Sequence, residues 1–317
     1  MSAPACRILF VGAVQEGRRC LDALTASGER FSGIVTLPDS ATAKTSGAVS
    51  FDDAARILRV PLLKVRDLGD APVVQQVRAA APDLILVIGW TRLLPAAILK
   101  IPPLGCVGLH ASLLPCYRGR APVNWAIIKG ETETGNTMFF LDEGVDTGDI
   151  IAQRRIPISH EDTCATVYDR AAAAAIEMLR ENLPLLKEGR APRSPQDHAR
   201  ATVMPQRRPE DGAIDWSRGA RDLHNWVRAL THPYPGAFSL VEGRRLFVWE
   251  ARVCGEKAPP GDPGKVVGSD PAGGLVVATG DGHLTLRRVQ WESGSEVEAA
   301  ALAHLSGRRM QSPARAA

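Results

Sequence analysis

A continuous apolar strand is encoded by the run Asp83-Leu84-Ile85-Leu86-Val87-Ile88-Gly89. Successive apolar side chains without polar alternation are typical of a parallel strand that is covered on both faces. Two shorter runs of the same kind, Arg7 to Gly12 and Phe31 to Leu37, lie upstream, and Gly17 to Ser27 between them has helical spacing. This alternation of strand and helix predicts an α/β fold, with helices on both faces of a parallel sheet.

The C-terminal third has a different pattern. A segment rich in Pro and Arg runs from Gly189 to about Pro209 and predicts a linker or surface connection. After it, short apolar strands alternate with Gly-rich turns; we expect these strands at Phe238 to Val241, Arg245 to Val253, Gly264 to Val267, Leu275 to Thr279 and His283 to Val289. Short strands at this spacing predict a small β-barrel. We therefore expect one domain over residues 1–205 and a second over residues 206–317.

The composition excludes several classes of protein. The chain has 317 residues, 45% of them hydrophobic, and a formal net charge of +3, which is too small to indicate nucleic-acid binding by itself. It contains no apolar run of the ~20 residues that span a bilayer, and no charged-then-apolar signal pattern at the N-terminus. These features predict a cytoplasmic protein. They do not specify its oligomeric state.

Two loops contain residues suited to proton transfer. The first is the run Gly108-Leu109-His110-Ala111-Ser112-Leu113-Leu114-Pro115, and the second is Asp142-Glu143-Gly144-Val145-Asp146-Thr147-Gly148-Asp149. A histidine and an aspartate on two such loops can work together, because the carboxylate fixes the imidazole tautomer and stabilises its charged form. The Gly12 to Gly17 spacing matches neither a P-loop nor a dinucleotide-binding fingerprint, so we do not predict a nucleotide site there.

The two loops resemble the signature of the 10-formyltetrahydrofolate-dependent formyltransferases, which use Asn-x-His-x-Ser-Leu-Leu-Pro and a later acidic turn. The run from Arg208 to Trp216 and the run Pro233-Tyr234-Pro235-Gly236-Ala237 match the same family, so the resemblance covers nearly the whole chain. It implies a Rossmann-like catalytic domain that binds folate and acceptor, followed by an OB-like β-barrel. The implied activity is formyl transfer from 10-formyltetrahydrofolate to a primary amine, without a metal.

The resemblance implies catalytic roles for three positions. His110 would face the formyl group, and Asp146 would orient His110 or relay a proton through water. Gly108 stands where the family has an Asn that helps to hold the formyl oxygen, and losing an oxyanion donor typically costs ~10²–10³ in rate. A backbone N–H, a water or another side chain would then substitute, or the space would admit a different acceptor. Two further alternatives are a non-catalytic folate-binding protein and a hydrolase of the formyl donor.

The same resemblance implies a folate pocket, in which an apolar slot with backbone donors and acceptors suits a pterin ring. Its expected lining is Val87, Ile88, Trp90, Leu93, Leu94, Ser112, Leu113, Leu114, Pro115, Leu141, Asp142, Glu143, Gly144 and Val145. For Trp90, a place in the pocket wall and a place in the plain core are equally favoured.

The acceptor divides this family, and the sequence favours a small or nucleotide-linked amino sugar, as in UDP-4-amino-4-deoxy-L-arabinose formylation. The segment Pro38 to Gly47 is short and has the single cation Lys44, so methionyl-tRNA formylation is the disfavoured alternative and tRNA the disfavoured partner. The expected substrate-binding residues are Arg118, Arg120 and Asn124, with Arg120 holding a diphosphate. For the two arginines, bracing the loop through salt bridges is equally favoured.

Overall fold

The computed structural model describes residues 6–254 and 261–312. The chain forms two compact units; the first comprises Met1–Pro122, Glu133–Pro157 and Tyr168–Pro205, and the second comprises Val123–Thr132, Ile158–Val167 and Gln206–Ala317. Two short segments that precede residue 206 therefore belong to the second unit. The domain boundary expected between residues 205 and 206 stays a prediction.

The helices and strands follow the predicted alternation. Among the described residues the α-helices are α1 (Gln15–Ala26), α2 (Asp39–Thr42), α3 (Asp52–Leu58), α4 (Ala71–Ala80), α5 (Ala96–Leu99), α6 (Pro122–Ile128), α7 (Cys164–Lys187) and α8 (Ala220–Leu230). The strands of the first unit are β1 (Ile8–Val11), β2 (Phe31–Thr36), β3 (Leu62–Lys64), β4 (Leu84–Val87), β5 (Cys106–His110), β6 (Arg118–Gly119), β7 (Glu133–Phe140), β8 (Ile150–Pro157) and β9 (Val203–Met204).

The first unit is built on a seven-stranded sheet in the order β3-β2-β1-β4-β5-β7-β8. Strands β1 to β5 are parallel, whereas β7 is antiparallel to β5 and β8 is antiparallel to β7. Side chains of β4 alternate between two apolar cores: Leu86 belongs to one, and Ile85 and Val87 belong to the other. Burial on both faces explains why the sequence of β4 is continuously apolar, and the α/β prediction is confirmed.

The second unit is an antiparallel, curled sheet. Its strands are β10 (Ala237–Val241), β11 (Arg244–Val253), β12 (Val266–Ser269), β13 (Leu275–Ala278), β14 (His283–Trp291), β15 (Glu296–Glu298) and β16 (Met310–Gln311). The order is β12-β13-β14-β11-β10-β16, and β15 pairs with β14. An antiparallel bridge between Lys265 and Arg309 joins the two ends of this order, so the sheet closes on itself. The predicted small barrel is confirmed. Closure removes the exposed strand edges that would otherwise pair with other chains.

The helices were also compared with the length and apolar content of a membrane-spanning helix. Within residues 6–254 and 261–312, none of them combines the length and the apolar content that a bilayer crossing requires.

Candidate functional site

His110 is the last residue of β5 and is 8% exposed. Its Nε2 lies 2.7 Å from the backbone carbonyl oxygen of Tyr117. A carbonyl oxygen can only accept, so Nε2 carries the hydrogen and donates it. In the neutral ring, Nδ1 is therefore the atom with a lone pair, and it is the position at which His110 can accept a proton.

Asp146 lies in the turn that follows β7, beside this open nitrogen. Its Oδ2 is 3.6 Å from His110 Nδ1 and accepts a hydrogen bond of 2.8 Å from the backbone N–H of Gly119. At 3.6 Å the carboxylate is beyond hydrogen-bonding distance, but it is close enough to stabilise an imidazolium. The structure thus brings together the two residues that the motifs singled out; their catalytic roles remain proposals.

Gln196 is a residue that sequence reasoning missed. It is 6% exposed and comes from the Pro- and Arg-rich segment that we expected to be a linker. Its Nε2 donates to the backbone oxygens of Asp146 (2.9 Å) and Gly148 (2.7 Å). Its Oε1 accepts from Arg118 Nη2 at 2.6 Å and from Nε at 3.2 Å. The segment gave no periodic signal because it is ordered by isolated contacts: the buried Gln196 side chain, a bridge between Ser194 and Ile150, and the short pairing of β9 with β6.

The contacts of Arg118 and Asn124 do not support direct substrate binding. Arg118 is 5% exposed and its guanidinium is hydrogen-bonded to Gln196, a neutral partner and not the salt bridge of the alternative interpretation, so a substrate role for it stays a prediction. Asn124 is 1% exposed within the second unit, where its Nδ2 donates to the backbone oxygen of Ala229 at 2.6 Å. Arg120 is exposed, so a substrate role for it stays a prediction.

The loop after His110 is held by hydrogen bonds to Thr137 of β7. The hydroxyl of Thr137, which is fully buried, donates to the oxygen of Ser112 (2.6 Å) and accepts from the N–H of Leu114 (3.1 Å). Ser112 and Leu114 are 1% and 3% exposed, and Leu113 packs over Gly135. The main chain of the loop is therefore held by Thr137, and a place for these three residues in the folate wall stays a prediction. Pro115, at the end of the loop, is half-buried.

The space beside Gly108 is occupied. A Cβ at this position would lie 2.8 Å from Cδ2 and 3.3 Å from Cγ of Leu141, so the Leu141 side chain covers the glycine. Gly108 is an ordinary strand residue paired with Phe139 of β7, and its backbone would accept any side chain. A larger residue at this position would therefore have to displace the Leu141 side chain, and the backbone conformation does not itself call for glycine. One explanation for the glycine was that it leaves open space for a different acceptor. The Leu141 side chain fills that space in this structure.

The predicted folate wall around β4 divides between several environments. Val87 and Leu94 belong to one apolar core and Ile88 to the other, so the Ile88 side chain does not face the same side as its neighbour. Leu93 is 64% exposed. Trp90 is half-buried, and its Nε1 is a buried donor without a hydrogen-bond partner among the described residues. A buried indole N–H in this state suits a ligand acceptor such as a pterin or carbonyl oxygen, because leaving it unpaired costs ~1–3 kcal/mol.

The acidic turn after β7 borders a cavity of about 290 Å³. This cavity is lined by Phe140, Leu141, Asp142, Thr147, Gly148, Asp149, Arg193 and His198. Of the predicted folate wall in this turn, Leu141 and Asp142 line the cavity. Glu143, Gly144 and Val145 are exposed on the outside of the turn. Asp142 also shapes the turn, because its Oδ1 accepts from Gly144 N at 3.0 Å and from Thr147 Oγ1 at 2.6 Å.

Comparison with known proteins bears directly on this site. A sequence profile described as "Formyl transferase" matches residues 6–183, and one described as "Formyl transferase, C-terminal domain" matches residues 207–306. The methionyl-tRNA formyltransferase of Desulforamulus reducens is 35% identical over 296 residues, which cover 92% of this chain and 92% of that protein. Seven further relatives, 35 to 38% identical, carry the same name.

Solved structures share the fold at lower identity. HypX from Aquifex aeolicus in complex with tetrahydrofolic acid aligns with a TM-score of 0.64 and 22% identity, over 93% of this chain and 46% of HypX. This chain thus spans about half the length of HypX. The N-formyltransferase from Helicobacter canadensis, solved with folinic acid and dTDP-3-aminofucose, aligns with a TM-score of 0.67 and 14% identity, over 89% of this chain and 99% of that protein.

These findings correct the acceptor prediction. The preference for an amino sugar and the judgement against tRNA were wrong, since relatives matching over nine-tenths of the chain are methionyl-tRNA formyltransferases, whereas the Helicobacter canadensis enzyme is only 14% identical. The preference rested on the single cation of Pro38 to Gly47 and on Arg120 as a diphosphate ligand, and neither feature identifies the acceptor. The second unit exposes arginines elsewhere, at Arg208, Arg221, Arg244, Arg252, Arg288, Arg308 and Arg309. With both profiles matched along its length, the chain belongs to the formyl transferase family.

Proposed function

We propose that this protein transfers the formyl group of 10-formyltetrahydrofolate to the amino group of methionyl-tRNA. The observation that carries the proposal is the 35 to 38% identity, over about nine-tenths of both chains, to methionyl-tRNA formyltransferases. The amine of the acceptor would attack the formyl carbon, and the bond from that carbon to N10 of the folate would break. N10 would take up a proton, and tetrahydrofolate would leave. We expect the protein to act in the cytoplasm, where charged tRNA is used.

The His110–Asp146 pair supports this chemistry. The attacking amine must lose a proton, and Nδ1 of His110 is the open acceptor because Nε2 is committed to the carbonyl of Tyr117. Once Nδ1 is protonated, the ring carries a positive charge 3.6 Å from the Asp146 carboxylate. The carboxylate stabilises that charge and so favours proton transfer. The pair thus accounts for the base and for its stabiliser.

The residues present also fit a folate. The unpaired Nε1 of Trp90 is a buried donor at the carboxyl end of β4, where ligands of open α/β sheets bind. His110 ends the neighbouring strand β5. In the proposed complex, Trp90 would donate to an oxygen or nitrogen of the donor. Leu141 and Asp142 would supply the opposite wall.

Formylation assays test the proposal. Purified protein is given 10-formyltetrahydrofolate with either charged initiator tRNA or an amino-sugar nucleotide, and His110→Ala serves as the matched control. We expect His110→Ala to formylate charged tRNA at least ~10²-fold more slowly than the wild-type protein. The wild-type protein should formylate the sugar nucleotide much more slowly than the charged tRNA. Faster formylation of the sugar, or no formylated tRNA above the control, would reject the proposal.

Salt dependence adds a second test. If exposed arginines of the second unit neutralise tRNA phosphates, each contact releases counterions, and log KM for tRNA should rise with log salt by roughly 0.7–0.9 per phosphate. KM for the formyl donor should change little. A KM for tRNA that is flat between low and physiological salt would contradict recognition through these arginines.

A further inference from the structure

The main chain of Asp146 is held in a conformation that aspartate does not favour. Its φ is +54°, in the left-handed region, which costs a residue with a Cβ of order 1 kcal/mol or more. Such a conformation persists only where the surroundings determine it. The carboxylate end is fixed by the N–H of Gly119 at 2.8 Å. The carbonyl end is fixed by the Nε2 of Gln196 at 2.9 Å.

The Gln196 side chain uses all of its hydrogen-bonding capacity on this turn and on Arg118. Both hydrogens of Nε2 are donated, one to Asp146 and one to Gly148, and Oε1 accepts twice from Arg118. Because a guanidinium has N–H donors and no acceptor, Arg118 fixes which end of the amide faces the turn. A glutamine that is 6% exposed and fully bonded has one available orientation.

Arg118 and Gly119 are adjacent, so one dipeptide holds both ends of Asp146. Gly119 binds the carboxylate directly, and Arg118 binds the main chain through Gln196. The dipeptide is itself fixed as strand β6, which pairs with β9. The loop that follows His110 and the turn that carries Asp146 are thereby set at a constant separation.

We propose that Gln196 is a positioning residue for Asp146: it acts through the main chain of that residue to keep the carboxylate beside His110. The expected effect on kcat rests on the proposed function. The position of the Asp146 carboxylate does not, because it can be observed without turnover.

The test is Gln196→Glu, which keeps an acceptor for Arg118 but removes both donors to the turn. Gln196→Met, an uncharged side chain of similar length, is the second variant. The matched control is Asn182→Asp, because Asn182 is another buried amide, 8% exposed, whose Nδ2 donates to a backbone oxygen, that of Met178, at 2.8 Å. Asp146→Asn provides the reference for a lost carboxylate.

The amide proton of Gly119 reports the position of the carboxylate. The sequence has two Arg–Gly pairs, Arg118-Gly119 and Arg218-Gly219, so labelling Arg with ¹³C at the carbonyl and Gly with ¹⁵N isolates two NMR signals. A hydrogen bond to a carboxylate shifts the Gly119 signal downfield and slows its exchange. Gly219 serves as the internal control. Both Gln196 variants should move the Gly119 signal upfield, as Asp146→Asn does, whereas Asn182→Asp should leave it unchanged.

Activity then tests the consequence. A displacement of ~1 Å in a reacting group costs up to ~10²-fold, so we expect kcat to fall about 10- to 100-fold in both Gln196 variants. KM for the formyl donor should change less than about 3-fold. A Gly119 signal that stays in place in a folded Gln196 variant overturns the proposal, whatever the activity. A displaced signal with wild-type kcat overturns it too. If the wild-type protein formylates no tRNA, the proposed function fails and the Gly119 signal alone decides the positioning.

Discussion

Replacing Gly108 by Asn introduces the family's usual residue into a space that this chain has already filled. The new Cβ would lie 2.8 Å from Cδ2 of Leu141, more than 0.5 Å inside ordinary carbon–carbon contact of ~3.5–4.0 Å. Strand backbone at Gly108 tolerates any side chain, so the cost comes from displacing Leu141. Overpacking of this kind destabilises by ~1–3 kcal/mol.

The prediction for activity follows from what Leu141 holds. Its N–H donates to the carbonyl of Cys106 at 2.8 Å, and it opens the turn that carries Asp146. Displacing it should move that turn, so we expect Gly108→Asn to lower kcat and not to raise it. If the glycine were a simple loss of an oxyanion donor, the same change would raise formyl transfer by ~10²-fold.

A double-mutant cycle isolates the contact. The changes are Gly108→Asn, Leu141→Ala and the pair together, and the readouts are urea unfolding and kcat for formyl transfer. Because Leu141→Ala vacates the space that the introduced asparagine side chain needs, the double variant should be more stable than the sum of the single effects by ~1–2 kcal/mol. Additivity within ~0.3–0.5 kcal/mol, or a large gain in kcat for Gly108→Asn alone, would refute the reasoning.

Three further outcomes are expected. His110→Ala and Asp146→Asn should each lower kcat at least ~10²-fold while circular dichroism and folate binding persist; near-normal turnover would remove that residue from the mechanism. Thr137→Val should lower the free energy of unfolding by ~1–3 kcal/mol in urea titrations, because the buried N–H of Leu114 loses its acceptor, and an unchanged midpoint would show that another group replaces it. Burial lowers the pKa of His224 to about 4, so the unfolded chain, with an ordinary pKa near ~6.5, binds a proton first as the pH falls. Stability should therefore be full above about pH 6.5 and decline towards pH 4, by on the order of 1 kcal/mol, and His224→Gln should flatten this decline in thermal melts if the reasoning holds.

The sequence predicted those parts of the fold that are encoded locally. Strand β4 and helix α1 were anticipated because their burial on one or both faces leaves a periodic pattern in neighbouring residues. The antiparallel strands β7 and β8 were not anticipated. Their reversal depends on pairing with β5, and the sequence of a strand does not specify the direction of its neighbour.

The candidate site divides in the same way. His110 and Asp146 were found because each lies in a short motif, and the acidic turn follows a strand that is hydrogen-bonded to β5. Gln196 was missed because its partners are 50 and 78 residues away and it lies in a segment without periodicity. The Leu141 contact with Gly108 was missed for the same reason. The burial of Arg118 could not be predicted either, since a charged residue in a loop is ordinarily exposed.

The pairing of β5 with β7 explains why Gly108→Asn should affect Asp146, which lies in the turn after β7. Gly108 pairs with Phe139, and His110, two residues on, pairs with Thr137. The end of β7 runs from Phe139 to Phe140 and then into Leu141, where the acidic turn begins. A side chain inserted at Gly108 therefore presses on the start of the turn, while the support from Gln196 acts at its end through the oxygens of Asp146 and Gly148. The position of the Asp146 carboxylate is set between these two contacts, so a change at either one should shift it relative to His110 and lower the rate of proton transfer without removing a catalytic group.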